Sequence, residues 1–232
     1  MRVLSVTHGQ SVPGGVFEHQ VEEQGHTLER WQVPDGGRPA RASSYDAVMV
    51  FGGSQHPDED DQFAWLAHEE AFLREVLAAR VPVFGVCLGA QMLARAAGAG
   101  VGPASQPEIG WYEVELTTAG RADPVLGVLP PRATVFQWHS YTHEIPAGGS
   151  ELARSKACTQ AFRLSQSAWG IQFHAEVTLP MVTSWIEEDP DELLAPADSV
   201  LAESRERIAA SNELGRALAA AFLGAAADRQ HV

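Results

Sequence analysis

The stretch Val81-Pro-Val-Phe-Gly-Val-Cys87-Leu-Gly-Ala-Gln91 places a thiol where a short apolar run gives way to a helical pattern, with Gly85 and Gly89 two residues to either side. This is the pattern of a nucleophile elbow, a sharp strand-to-helix turn that pushes the reactive side chain into the open. Glycines flank it because a Cβ there would meet neighbouring backbone. The helix opening after Cys87 directs free N–H groups and the positive end of its dipole at the sulfur, which favours the thiolate. Cys87 therefore reads as a nucleophile. The other cysteine, Cys158, lies in Arg154-Ser-Lys-Ala-Cys158-Thr-Gln and reads as a strand-end packing residue.

A thiolate nucleophile needs a base that later serves as acid, and a third group to orient it. Of nine histidines, His174 in Trp169-Gly-Ile-Gln-Phe-His174-Ala-Glu176 is the best placed, since it ends an apolar strand and has a carboxylate two residues on. If the strand stays extended, His174 and Glu176 project to the same face and the carboxylate can fix the imidazole tautomer. On its own, His-x-Glu would be an ordinary surface pair; its weight comes from the elbow. Acyl chemistry also requires donors for an oxyanion. The N–H of Leu88 is one expectation, and the Gly53 N–H in Phe51-Gly52-Gly53-Ser54 is the second. A Gly-Gly pair after a strand is otherwise a plain turn.

These groups must be carried by elements that bring them to one rim. The first half of the chain alternates strands and helices: Arg2 to His8, a helix around Phe17 to Gln24, His26 to Val33, Asp46 to Gly53, a helix from about Gln62 to Arg80, and Val81 to Cys87. That order predicts an α/β fold, an open and mostly parallel central sheet of flavodoxin-like type with helices on both faces. The continuous apolar runs Ala47 to Phe51 and Val81 to Val86 suit central strands covered on both sides. In the helix between them Phe63, Leu66, Leu73, Val76 and Leu77 approximate the buried face, with Glu69, Glu70, Arg74 and Glu75 mostly on the rest. The carboxyl ends of adjacent parallel strands line the crevice of such a sheet, so Gly53 and Cys87 should share an edge. After a helix from Gly89 to Ala97 the sequence turns strand-rich, with Trp111 to Leu116, Thr134 to Trp138, Glu151 to Lys156, Gln160 to Leu164 and Trp169 to Phe173 forming a small, partly antiparallel extension. A helical tail runs from about residue 199 to 228, with Leu214, Leu218 and Phe222 on one stripe.

With 232 residues and no linker-like tract, a single domain spanning 1–232 is expected. Two cysteines fit a reducing cytoplasm better than a disulfide scaffold. The first residues read as a strand, not a signal peptide, and no apolar run reaches the length of a membrane span. A net charge of −14, from 30 acidic and 16 basic residues, opposes nucleic acid and anionic lipid as partners. The acidic runs Asp58 to Asp61 and Glu187 to Glu192 lack the spacing and turn glycine of a calcium loop and read as solvated loop and helix-start charge. His139 and His143 are four apart, which suits a metal only on a helix, whereas this segment reads as strand end and loop. No metal and no cofactor are expected.

Taken together, Gly85-Val-Cys87-Leu-Gly89-Ala-Gln91, the preceding Gly52-Gly53 and the later Phe173-His174-Ala-Glu176 resemble the class I, or triad, glutamine amidotransferases, and more narrowly stand-alone proteins similar to the amidotransferase domain of GMP synthase. Trp65-Leu66 with Glu69, Glu108-Ile-Gly-Trp111, Phe136-Gln-Trp-His139 and Gln160-Ala-Phe-Arg163 extend the likeness across nearly the whole chain. The resemblance implies that Cys87 attacks the side-chain amide of glutamine, His174 protonates the departing ammonia, Glu176 orients His174, and water releases glutamate from a γ-glutamyl thioester. It also implies that Gly52, Gln91, His139, Ser140 and Tyr141 contact the substrate. Ala175 stands where the family usually has proline, which should loosen that turn. Ser54 replaces another proline, and Ser140-Tyr141 replaces Gly-Asp, removing a carboxylate near the substrate amine. No Gly-x-x-x-x-Gly-Lys phosphate loop is present, so an ammonia-accepting synthetase or ligase would be another polypeptide. A γ-glutamyl peptide or amide hydrolase with the same triad is the second reading, and a non-catalytic regulatory relative the third.

Overall fold

The computed structural model describes residues 1–229. Alternation of strand and helix in the first half yields β1 (Arg2–Thr7), α1 (Gly15–Glu23), β2 (Thr27–Gln32), β3 (Ala47–Val50), α2 (Trp65–Ala79), β4 (Val83–Val86) and α3 (Leu88–Ala96). The second half contributes β5 (Val101–Leu116), a single turn α4 (Thr118–Arg121), β6 (Arg132–His143), β7 (Gly149–Arg154), β8 (Thr159–Leu164), β9 (Ala168–Ile171), α5 (Leu179–Glu188) and the 32-residue α6 (Ala197–Asp228). All nine strands form one sheet in the order β2-β1-β3-β4-β9-β8-β7-β5-β6.

The expectation of a mostly parallel sheet is corrected. The pairings β2-β1, β1-β3, β3-β4 and β4-β9 are parallel, and the remaining four are antiparallel. The reason is connection length. Helices separate the parallel strands, whereas three residues join β8 to β9 and four join β7 to β8, too few for a crossover. The antiparallel part is thus half the sheet, and β5 begins ten residues before the predicted Trp111.

Side-chain alternation in the parallel half fills two cores. Val3, Met49, Phe84 and Val86 face α1 and α6, packing with Phe17 and Phe222. Leu4, Val48, Val50 and Val83 face α2 and α3, packing with Leu66, Leu73, Met92 and Leu93. Two-sided burial is why these strands read as continuous apolar runs. A third cluster seats Met181, Val182, Trp185 and Ile186 of α5 near Phe136 of β6. Sequence reading assigned no helix there, although Pro180 in the first turn followed by apolar residues at 181, 182, 185 and 186 is a helical signature. Consequently the Glu187 to Glu192 run spans the end of a helix, with Glu187 and Glu188 in its last turn, and not a helix start.

Glu69 also needs correction. It lies on the buried face of α2, fully shielded from solvent, because His8 at the end of β1 supplies its partner.

Candidate active site

Cys87 follows β4 with φ 52° and ψ −112°, a conformation that a side chain adopts only when its surroundings impose it. The Cys87 N–H donates to the Ile171 carbonyl at 2.8 Å, and its own carbonyl accepts from the Gln91 N–H at 3.0 Å, so the residue is tied at once to β9 and to α3. The glycine requirement is visible on both sides. A Cβ on Gly85 would lie 2.6 Å from the Gly89 carbonyl oxygen, and one on Gly89 would lie 2.2 Å from that of Val50. The sulfur borders a cavity of about 410 Å³ that also receives Gly53, Leu88, Gln91 and His174.

His174 lies three residues beyond the end of β9, and its N–H donates to the Phe136 carbonyl at 2.8 Å. The strand does not stay extended to Glu176. A bend still brings His174 Nδ1 to 2.7 Å from Glu176 Oε1, with both side chains buried. Trp185 covers the ring edge-on, with centroids 4.9 Å apart. Burial opposes a charged imidazole, but the Glu176 carboxylate and the Cys87 sulfur outweigh it and push His174 up to about 10. A cationic ring beside the sulfur is the partner a thiolate needs.

Without proline at 175, this turn is held from outside. The Glu176 carbonyl accepts from the Val16 N–H at 2.9 Å, and the Val177 carbonyl accepts from Asn212 Nδ2 at 2.6 Å. Gly215 of α6 packs so closely that an added Cβ would lie 2.0 Å from the Ala175 oxygen. Two helices do here what a pyrrolidine ring would do covalently.

Gly52 sits against both the Cys87 and His174 side chains, since a Cβ there would approach His174 Cε1 to 3.1 Å and Cys87 Cβ to 3.8 Å. Gly53 is wedged between Leu88 and His8, at 2.7 and 2.8 Å from the same hypothetical atom. Among the described residues the Gly53 N–H meets no hydrogen-bond acceptor, and Leu88, as the first residue of α3, has no preceding turn to bond. Both donors are therefore available to a ligand.

The opposite wall comes from β6. Gln91 Nε2 donates to the Tyr141 carbonyl at 3.0 Å and to Gln172 Oε1 at 3.1 Å, and Gln172 Nε2 reaches the Cys87 sulfur at 3.5 Å. Ser140 and Tyr141 border the cavity, and the Tyr141 ring stacks on His56 with centroids 3.8 Å apart. The His139 imidazole is buried, with Nδ1 against the Tyr141 carbonyl at 3.0 Å and Nε2 3.3 Å from Glu108 Oε2. Glu108, His139 and Cys158 bring donor atoms within 4.8 Å of one another. Glu108 Oε2, however, already accepts from Ser155 Oγ and Gln160 Nε2 at 2.9 and 2.8 Å, so this group forms a hydrogen-bonded brace under β5 and β6. His143 is likewise on β6, not in a loop. Sequence reasoning missed His8, Trp138 and Trp185 as cavity residues. Trp138 lay within the matched stretch Phe136-Gln-Trp-His139 but was given no role, and no local signal marked His8 or Trp185.

A glutamine amidotransferase from Thermotoga maritima superposes on this chain with a TM-score of 0.87 at 29% identity, covering 96% of this chain and 97% of that one. The glutamine amidotransferase-like protein YfeJ of Salmonella typhimurium is 31% identical over 83% of each chain. A subunit of the glutamine-hydrolysing GMP synthase of Natronomonas pharaonis is 30% identical over 63% of this chain and 74% of its own. The γ-glutamyl-L-1-hydroxyisopropylamide hydrolase of a Pseudomonas species is 30% identical over 58% of this chain and 48% of its own. The model of the class-I glutamine amidotransferase family matches residues 15–187, a span that holds the thiol elbow, the glycine pair and the histidine–carboxylate turn alike. With that match added to the shared fold and the cleft chemistry, the chain belongs to the class-I glutamine amidotransferases.

Proposed function

We propose that the protein hydrolyses the side-chain amide of glutamine with Cys87, His174 and Glu176 and delivers the ammonia to a separate acceptor-activating synthetase or ligase in the cytoplasm, the whole chain acting as one domain. The observation that carries this reading is the Cys87 elbow, in a strained conformation on a cleft shared with a buried His174 paired to Glu176 at 2.7 Å. The thiolate adds to the carboxamide carbon, and the N–H groups of Gly53 and Leu88 hold the resulting oxyanion. His174 transfers its proton to the amide nitrogen, the C–N bond breaks and ammonia leaves a γ-glutamyl thioester. Water then gives a proton to His174 and adds to the thioester, and glutamate departs with the thiolate–imidazolium pair restored. Glu176 holds the ring and balances its charge. Gly52, Gln91, His139, Ser140 and Tyr141 form the substrate wall, the main chain supplying most of its polar groups. A partner is supported by the likeness to a GMP synthase component that is a separate polypeptide.

One observation favours a second substrate class. Trp138 and Trp185 line the same cavity as Cys87 and His174 and offer apolar surface suited to a substituted amine, and one relative is named for hydrolysing such an amide. Ammonia release from glutamine and amine release from N-substituted γ-glutamyl amides, measured side by side, separate the two. Turnover of the substituted amides alone would refute the glutaminase reading. Turnover of neither would refute both.

A further inference from the structure

We propose that His8 and Glu69 form a buried clamp that fixes the orientation of the Gly52–Gly53 peptide, making His8 a positioning residue for the oxyanion donor; this rests on the acyl-transfer reading above. His8 Nδ1 lies 2.8 Å from the Gly52 carbonyl oxygen and Nε2 lies 2.9 Å from Glu69 Oε2. Both side chains are fully shielded, and the Trp65 ring stacks on the imidazole with centroids 5.3 Å apart. The ring therefore cannot turn without leaving a buried charge unpaired.

A trans peptide directs its N–H opposite to its carbonyl. By donating to the Gly52 carbonyl, His8 turns the Gly53 N–H away from itself and leaves it free of any acceptor among the described residues. Flanking glycines give this peptide little intrinsic preference between its two orientations. Turned over, it would present a carbonyl oxygen where negative charge develops, replacing attraction by repulsion. The acidic residue beneath the clamp gives it direction. Both ring nitrogens face acceptors, the Gly52 carbonyl and the Glu69 carboxylate, so the ring donates from both. Burial opposes its charge, but the same two groups outweigh it and raise the His8 pKa above the ordinary value. His8 is separated from the thiol–imidazole pair by the glycines and transfers no proton to substrate.

The test compares wild type with His8→Leu, His8→Asn and Glu69→Gln by steady-state kinetics on whichever γ-glutamyl substrate the wild type turns over. The rate at which iodoacetamide alkylates Cys87 is measured in parallel. Alkylation develops no oxyanion, so it reads the thiolate alone. The expected result is a kcat about 100-fold lower in His8→Leu, as when one oxyanion donor is lost, with KM and the alkylation rate within about threefold of wild type. His8→Asn, whose side-chain amide can donate to the same carbonyl, should recover most of kcat, and Glu69→Gln should fall between. A His8→Leu kcat within about threefold of wild type overturns the proposal. So does an alkylation rate that falls in step with kcat, or an asparagine variant no better than leucine. A wild type inert toward glutamine and γ-glutamyl amides overturns the acyl-transfer reading itself, and this inference with it.

Discussion

Gly215→Ala pits two opposing effects against each other within one helix. Alanine is favoured over glycine in a helix interior by about 1 kcal/mol, so propensity alone predicts stabilisation. The new Cβ, however, would lie 2.0 Å from the Ala175 carbonyl oxygen and 2.9 Å from Val16 Cγ2. Restoring an ordinary 3.4 Å contact requires about 1.4 Å of separation between α6 and the His174–Glu176 turn. That oxygen belongs to backbone, and the turn is tied to α1 through the Val16 N–H, so no rotamer change relieves the clash. Overpacking costs of about 1–3 kcal/mol apply at their upper end, leaving a net loss of roughly 1–2 kcal/mol. Displacing the turn also moves His174 relative to Cys87, and a shift of about 1 Å can cost on the order of 100-fold in rate. Gly224→Ala is the control in the same helix, because a Cβ there meets nothing within 4 Å. It should gain roughly 0.5–1 kcal/mol and leave turnover unchanged. Urea unfolding midpoints and kcat for both variants provide the assay. If Gly215→Ala is as stable as Gly224→Ala and fully active, α6 does not hold the His174–Glu176 turn in the way argued.

Three further outcomes follow from the site and its surroundings. Cys87→Ala should abolish turnover while keeping the wild-type circular dichroism spectrum; residual activity near wild type would exclude Cys87 as the nucleophile. Glu176→Gln removes the carboxylate that holds His174 at about 10, so the ring's pKa should fall. Turnover at pH 8 should then drop by about 100-fold or more and partly return as pH is lowered toward the new pKa. An unchanged pH profile would refute the orienting role. His143 is pushed down to about 4, first by burial and then by its neighbour His139. A depressed folded-state pKa gives stability that is present above the unfolded value near 6.5 and lost as pH falls toward 4. The stability difference between wild type and His143→Gln should therefore shrink by about 2 kcal/mol between pH 7 and pH 5; a pH-independent difference would contradict it.

The elbow was legible because its chemistry demands small residues at fixed offsets, and Gly85 and Gly89 carry that demand in the sequence. The first half of the sheet was legible for a similar reason, since strands buried on both faces leave unbroken apolar runs. The antiparallel half was underestimated. Val101 to Pro107 holds two prolines, two glycine or alanine positions and polar residues, and it reads as loop. Val101 to Pro103 nevertheless pair with β6 and residues 104–107 form an irregularity before pairing resumes at Glu108; proline is tolerated there because β7 joins β5 only at Glu115 and Leu116. Glu69 was placed with the exposed charges of α2 because helical period cannot reveal a carboxylate whose partner lies 61 residues earlier. The same limit hid His8, which ended a predicted strand with nothing local to mark its ring as buried and paired. The bend after Ile171 was invisible as well, yet it leaves the His174–Glu176 pairing intact through contacts with α1, α6 and β6.

Cys87 and His174 follow two adjacent parallel strands whose pairing matches Val86 with Ile171. A slip of one residue between these strands would turn the imidazole to the opposite layer of the molecule. An intermediate with its helices formed and its sheet misaligned would hold a thiol and a ring that never meet. Recovery of turnover after dilution from denaturant would then count correctly zipped molecules, while far-ultraviolet signal would count all compact ones, and any lag between the two would time the search for alignment at the centre of the sheet.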